Sequence, residues 1–257
     1  MEIAKFYGVL TYTFSHIPKI GPVTEKKLWS QGILTWQDYL RVYPEVPLSA
    51  AKREQVRGHL LESERALAAH DHCYFARLLP SREHWRAFPE FADSVAYLDI
   101  ETTGMGTLDD ITMVGLYDGD EYRAYIRGIN LDEFPADVQR FSLLVTFFGS
   151  CFDLPILAAH FPLLRFEQLQ VDLCHVLRRL GHRGGLKRIE EKLGIQRSEE
   201  TAGLSGYDAV RLWWQYRRGS KAALDLLVQY NREDVINLQP LMQFAYRSLV
   251  EELGVKT

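Results

Sequence analysis

Residues 94–100, SVAYLDI, form a mostly apolar run, as expected of a strand covered on both faces. Such a strand needs packed layers on either side. The strand also marks a change in the chain. Before residue 90 the segments 22–31, 35–42 and 49–70 read as helices, the last rich in Ala, Leu, Glu, Lys and Arg. Segment 77–93, with its prolines, Trp85 and phenylalanines, reads as a packed connector.

After residue 93 strands follow. ITMVGLYDG (111–119) ends in the turn signal Asp118-Gly119 and leads into EYRAYIRG (121–128), so the two pair as a hairpin. LLVTFFG (143–149) reads as another buried strand. Helices are expected at 152–161, 172–181, 185–193, 206–218 and as one long helix from about 221 to 253. This order gives a mixed α/β domain at 91–257, preceded by a helical domain at 1–90.

Composition allows this and excludes little. Of 257 residues, 47% are hydrophobic and 25% charged, enough for a sizeable core. A net charge of −4 argues against coating nucleic acid through bulk charge, but not against gripping a few phosphates locally. Three cysteines without a CxxC pair suit neither a disulfide framework nor a zinc site. No apolar run reaches the length of a membrane span, and the first residues do not read as a signal peptide. A cytoplasmic protein with no membrane partner is the expectation.

Three acidic motifs carry the chemistry. In YLDIETTG, Asp99 and Glu101 lie two apart on a strand and project from the same face. Like charges side by side are unfavourable unless a cation sits between them, and hard divalent ions prefer carboxylate oxygens. A solvated pair at a strand end is the plainer reading of that tripeptide alone. In YNREDV, Tyr230 and Asp234 share a helix face. Asp234 has apolar neighbours and needs a partner, which a metal ion or an arginine would supply. In FFGSCFDLP, Asp153 suits a helix N-cap, which does not exclude ligation.

Taken together and in this order, the motifs resemble those of the DEDD exonuclease superfamily, in the subclass that carries tyrosine at the position of Tyr230. LVTFFGSCFDLP, VDLCHVLRRLGHRGGLKRIEEKLGI and YNREDVINL also look like the YprB-type ribonuclease H-like domain, over roughly residues 91–250. The resemblance implies a ribonuclease H-like mixed sheet flanked by helices. It also implies a two-metal 3′-to-5′ exonuclease using Mg²⁺ or Mn²⁺ on nucleic acid, DNA with a free 3′ end being the leading substrate. Asp99, Glu101, Asp153 and Asp234 would hold two ions, and Tyr230 would orient the attacking water. Thr102, Thr103, Gly104 and Met105 would support the terminal nucleotide. Phe148 departs from the pattern, standing where relatives carry asparagine. A structure-selective endonuclease or RNase on the same fold, and a non-catalytic nucleic-acid-binding adaptor, are the competing readings.

Other segments carry weaker signals. Asp172 reads as an N-cap. The locally basic stretch from Arg178 to Arg188, with Lys187, is either a solvated face or a phosphate contact. Trp213, Trp214 and Tyr216 read as mostly core. HIPKIGPVTEKKLWSQGI (16–33) resembles a helix-hairpin-helix motif, with Gly21 at the turn and Lys26 on the following helix, although Lys19 stands where a first glycine is usual. A protein-packing hairpin of the same shape is the alternative there.

Overall fold

The computed structural model describes residues 8–104 and 111–254. The chain divides into two compact units, one ending at Asp93 with Glu167–Leu169 added, the other covering most of the remainder.

In the first unit, helices α1 (Pro22–Trp29), α2 (Trp36–Val42), α3 (Ala50–Ala68) and α4 (His72–Leu78) surround a core containing Phe14, Trp36, Tyr39 and Phe75. Local chemistry sets their starts. Thr35 and Asp38 form a reciprocal capping box on α2, and Asp71 caps α4 through the Tyr74 amide. Pro22 begins α1, where its missing N–H costs nothing. Among the described residues, α1 is preceded by a 3₁₀ turn at Leu10–Tyr12 and a run of hydrogen-bonded turns. Lys19 lies at φ 66, the left-handed conformation that glycine adopts most readily.

The second unit is built on a five-stranded sheet: β1 (Val95–Thr102), β2 (Ile111–Tyr117), β3 (Tyr122–Ile126), β4 (Leu143–Thr146) and β5 (Leu169–Asp172). The order is β3-β2-β1-β4-β5. β2 runs antiparallel to both β1 and β3, and β4 runs parallel to β1. Helices α5 (Phe134–Val138), α6 (Asp153–His160), α7 (Leu173–Arg179), α8 (Leu186–Lys192), α9 (Gly206–Arg217), α10 (Lys221–Ile236) and α11 (Leu238–Leu253) complete the unit. This is the mixed α/β architecture that the strand and helix order predicts, and it fits the ribonuclease H-like sheet that the resemblance implies.

Alternation along β1 decides where the chemistry can sit. Ala96, Leu98 and Ile100 join a core cluster with Val114, Leu116, Phe134 and Leu157, on the side of α5 and α6. The odd-numbered residues, Asp99 and Glu101 among them, therefore face the opposite side. There α10 packs on β1 and β2, with Met113, Leu212, Trp213, Leu227 and Tyr230 in a second apolar cluster. The register of β1 shifts between Glu101 and Thr102, a bulge at the strand end that carries the carboxylates.

Three local expectations need correction. The single helix expected at 221–253 is two helices that meet at Asn237. Pro240 provides the reason: it has no N–H to donate, and its ring clashes with a carbonyl four residues back, so the helix must restart just before it. The strand expected to reach residue 149 stops at Thr146, because Phe148 turns the chain at φ 66. Trp213 is buried as expected, but its neighbour Trp214 is 49% exposed. Among the described residues no helix is long and apolar enough to cross a membrane.

Candidate metal centre

Asp99 and Glu101 emerge from β1 toward α10, and α10 presents Tyr230, Asn231 and Asp234 to them. One carboxylate oxygen from each of Asp99, Glu101 and Asp234 lies within 4.8 Å of the others. Glu101 and Asp234 are buried and Asp99 half-buried. Asp153 is also buried, and its Oδ1 accepts the amide of Ile100, the β1 residue after Asp99, at 3.0 Å. It is the first residue of α6, following Phe152, and does not act as the expected side-chain cap. Its carboxylate is held by the neighbouring strand instead of its own helix.

Crowding and burial act together on these acids. Desolvation, then repulsion from Asp153, Asp234 and Glu101, holds Asp99 well above the usual carboxylate range. Desolvation and Asp234 push Glu101 up to about 8. Desolvation raises Asp153 to about 7 against the opposing Ile100 amide, and raises Asp234 against the charge of Arg197. Such a cluster is costly as bare anions and is relieved by a cation. Carboxylate oxygens converging at this spacing suit a hard divalent ion such as Mg²⁺ or Mn²⁺.

Three residues that sequence reasoning did not assign a role organise the acids. Asn231 donates from Nδ2 to Asp99 at 3.0 Å and to Glu101 at 3.4 Å, while its Oδ1 accepts the Tyr122 hydroxyl at 2.9 Å. Arg197 donates to both oxygens of Glu190, at 2.7 and 2.9 Å, and to Asp234 Oδ1. Desolvation opposes the charge on Arg197, but the bonds to Glu190 and the charge of Asp234 outweigh it and hold the guanidinium ionised. The arginine weighed as an alternative partner for Asp234 is therefore present. Asn231 and Arg197 engage Asp99 Oδ2, Glu101 Oε1 and Asp234 Oδ1. Asn231 stood inside the YNREDV motif, where a buried amide facing two acids could have been noticed. Arg197 and Glu190 carried no such signal.

Tyr230 lies one turn before Asp234, and its hydroxyl accepts a hydrogen bond from Lys187 Nζ at 2.9 Å. The ammonium also lies 4.3 Å from the centre of the phenol ring and donates to the Leu204 carbonyl. Burial, then Asp234 and Glu101, raises the phenol, so Tyr230 stays protonated at neutral pH. Burial lowers Lys187, with Asp234 opposing. These groups open into a cavity of about 480 Å³ lined by Asp99, Phe147, Lys187, Arg188, Tyr230 and Asp234, among others. The basic stretch thus contributes Lys187 and Arg188 to the cavity wall, while Arg178, Arg179 and Arg183 are exposed.

The remaining candidates are more scattered. Thr102 is half-buried, Thr103 buried and Gly104 exposed at φ 78, immediately beyond Glu101. Met105 lies outside the described residues. Gly21 and Lys26 are exposed at the start of α1 and belong to the other unit. Asp172 caps α7 through the Cys174 amide, as expected, and also binds the loop after β4 through Phe148 N and Ser150 N.

The family comparison agrees with this architecture. The family model of the RNase H superfamily matches residues 96–246, more than half of the chain. No curated protein matches. Among solved structures, the family B DNA polymerase from the hyperthermophilic archaeon Pyrobaculum calidifontis is similar over 62% of this chain, at 18% identity and a TM-score of 0.44. The matched part of this chain spans about a quarter of that polymerase's length, 24%.

Proposed function

This chain belongs to the RNase H superfamily, and on that footing we propose that it is a metal-dependent 3′-to-5′ exonuclease that hydrolyses phosphodiester bonds at nucleic-acid ends, DNA first among them. The observation that carries the reading is the convergence of Asp99, Glu101 and Asp234 within 4.8 Å, with Tyr230 one turn away on the same helix as Asp234. Asp153, alongside Asp99, is the fourth acid of the proposed site. Asp99, Glu101, Asp153 and Asp234 would hold two Mg²⁺ or Mn²⁺ ions, which when bound supply charge neutralisation at the scissile phosphate and lower the pKa of water.

The chain's own groups have distinct tasks in this reading. Asn231 fixes the rotamers of Asp99 and Glu101 by donating to both. Arg197 fixes Asp234. Tyr230 keeps its proton and so orients the nucleophilic water through hydrogen bonding, not as a base. Lys187 holds the phenol oxygen in place and, with Arg188, gives the cavity a cationic wall that suits a phosphate backbone. Thr102, Thr103, Gly104 and Met105 follow the strand end and are proposed to support the terminal nucleotide. The helix-hairpin-helix-like segment with Gly21 and Lys26 is proposed to contact the nucleic-acid backbone through amides at the start of α1.

Digestion of DNA and RNA labelled at either end, with and without Mn²⁺, tests this. Mononucleotides released from the 3′ end, and lost with chelator or in Asp99→Ala, are the expected result. Cleavage of a circular substrate would replace the exonuclease with an endonuclease. No cleavage of any substrate would remove the proposal.

A further inference from the structure

The loop leaving β4 holds one side chain in a conformation that it disfavours. Phe148 lies at φ 66. In that left-handed region a Cβ crowds the following carbonyl, and bulky residues avoid it while glycine and asparagine tolerate it. Burial of the ring does not compensate, because Phe148 is 47% exposed. A residue that is unfavourable in its backbone and unused in the core points to a task outside the fold.

The loop around it is tightly fixed. The Asp172 carboxylate accepts the Phe148 amide at 2.8 Å, the Ser150 amide at 3.1 Å and the Ser150 hydroxyl at 2.5 Å. The Phe148 carbonyl accepts the amides of Cys151 and Phe152 at 3.2 Å each. Gly149 packs so closely on Thr146 that a Cβ would stand 2.8 Å from the threonine methyl. The preceding residue, Phe147, lines the cavity that holds Asp99, Tyr230 and Asp234. An exposed aromatic ring is therefore presented from a rigid loop, one residue beyond the wall of the carboxylate cavity.

We propose that Phe148 is a stacking platform for an unpaired nucleobase of the bound strand. This rests on the nuclease reading above and adds a base-binding residue to it. A base inside a duplex has both faces covered by its neighbours, whereas an unpaired base offers a free face to an aromatic side chain. Every base has such a face, so this contact selects for an unpaired strand with little preference for sequence.

Phe148→Asn separates the ring from the backbone, because asparagine accepts the left-handed conformation and removes the aromatic surface. Phe148→Trp retains the surface. Binding of single-stranded oligonucleotides is read by fluorescence anisotropy in chelator, with a companion series carrying one abasic residue at each position in turn and a blunt duplex of the same sequence. Phe148→Asn is expected to melt at or above the parent temperature yet to bind the single strand at least about fivefold more weakly. Phe148→Trp should bind like the parent. One abasic position should weaken the parent but not Phe148→Asn, and KM in the cleavage assay should rise in Phe148→Asn by more than kcat falls. Equal affinity of Phe148→Asn and parent, or parental preference for the blunt duplex, overturns the stacking proposal while leaving a cleaving parent as a nuclease. A parent that neither binds nor cleaves nucleic acid overturns both.

Discussion

Gly115 and Asn231 meet where β2 touches α10, with no room for a side chain between them. A Cβ on Gly115 would stand 2.9 Å from Val235 Cγ2 and closer still to Asn231 Oδ1. The same glycine pairs with Asp99 in the β1–β2 ladder. Absence of a side chain opposite Asp99 is thus what lets the Asn231 amide reach both Asp99 and Glu101. Gly115→Ala is expected to destabilise the protein by about 1–3 kcal/mol through overpacking. It should also weaken divalent-ion binding by about tenfold or more, because a group that orients the ligands is displaced. Urea denaturation and calorimetric titration with Mn²⁺ measure the two effects. A folded Gly115→Ala with parental Mn²⁺ affinity would show that Asn231 does not organise the acids.

Arg197 joins Glu190 and Asp234, all three side chains being at most 10% exposed. Removing one member of such a buried group leaves uncompensated charge, typically at a cost of about 3–5 kcal/mol. Arg197→Met should therefore unfold at markedly lower denaturant in the absence of metal. Added Mn²⁺ should raise its melting temperature by more than it raises the parent's, because Asp234 has lost its other cation. Equal metal-induced shifts would show that Arg197 does not balance the charge of Asp234.

The raised carboxylates make metal-free stability depend on pH. An unfolded chain ionises its acids near 4, but Glu101 is pushed up to about 8 and Asp153 to about 7 in the folded protein. Between these limits the folded state binds more protons, so its stability falls as pH rises. Their contribution is fully present below about pH 4 and is lost as pH passes through 7 to 8. Thermal melts in chelator should decline from pH 5 to 8.5, with a shallower slope in Glu101→Gln. Mn²⁺ should remove most of the decline. A flat profile in the parent would contradict the burial of these acids.

Tyr230 keeps its proton across the neutral range and receives the Lys187 ammonium on its oxygen. Tyr230→Phe should lower kcat on the order of tenfold to hundredfold by loosening the position of the nucleophile. Mn²⁺ affinity should stay within about twofold, since the phenol is not among the converging carboxylate ligands. Unchanged turnover would leave the phenol without a catalytic role. Lys187→Met should reproduce part of the loss.

Much of this arrangement was readable from local pattern. The apolar run at 94–100 gave a buried strand, and spacing by two put Asp99 and Glu101 on one face. Spacing by four aligned Tyr230 with Asp234. The break at Asn237 was legible too, in Pro240, but the surrounding helix formers masked it. Arg197 was not legible: it lies in the segment between α8 and α9 with nothing local to mark it. Nor does sequence show that Asp153 is bound by the Ile100 amide instead of capping α6, because both uses suit a residue at a helix start.

The sequence by itself therefore determined periodicity: where the longer strands and helices lie and which side chains share a face, but not the short helices α4 and α5. Those properties follow from 3.6-residue and 2-residue repeats that act within a few positions of the chain. Only the tertiary structure decided which partner each acid received, Asn231 for Asp99 across 132 positions and Arg197 for Asp234 across 37. Docking of α10 on the sheet sets those distances, and docking depends on the packing of many distant side chains together, which no local repeat encodes.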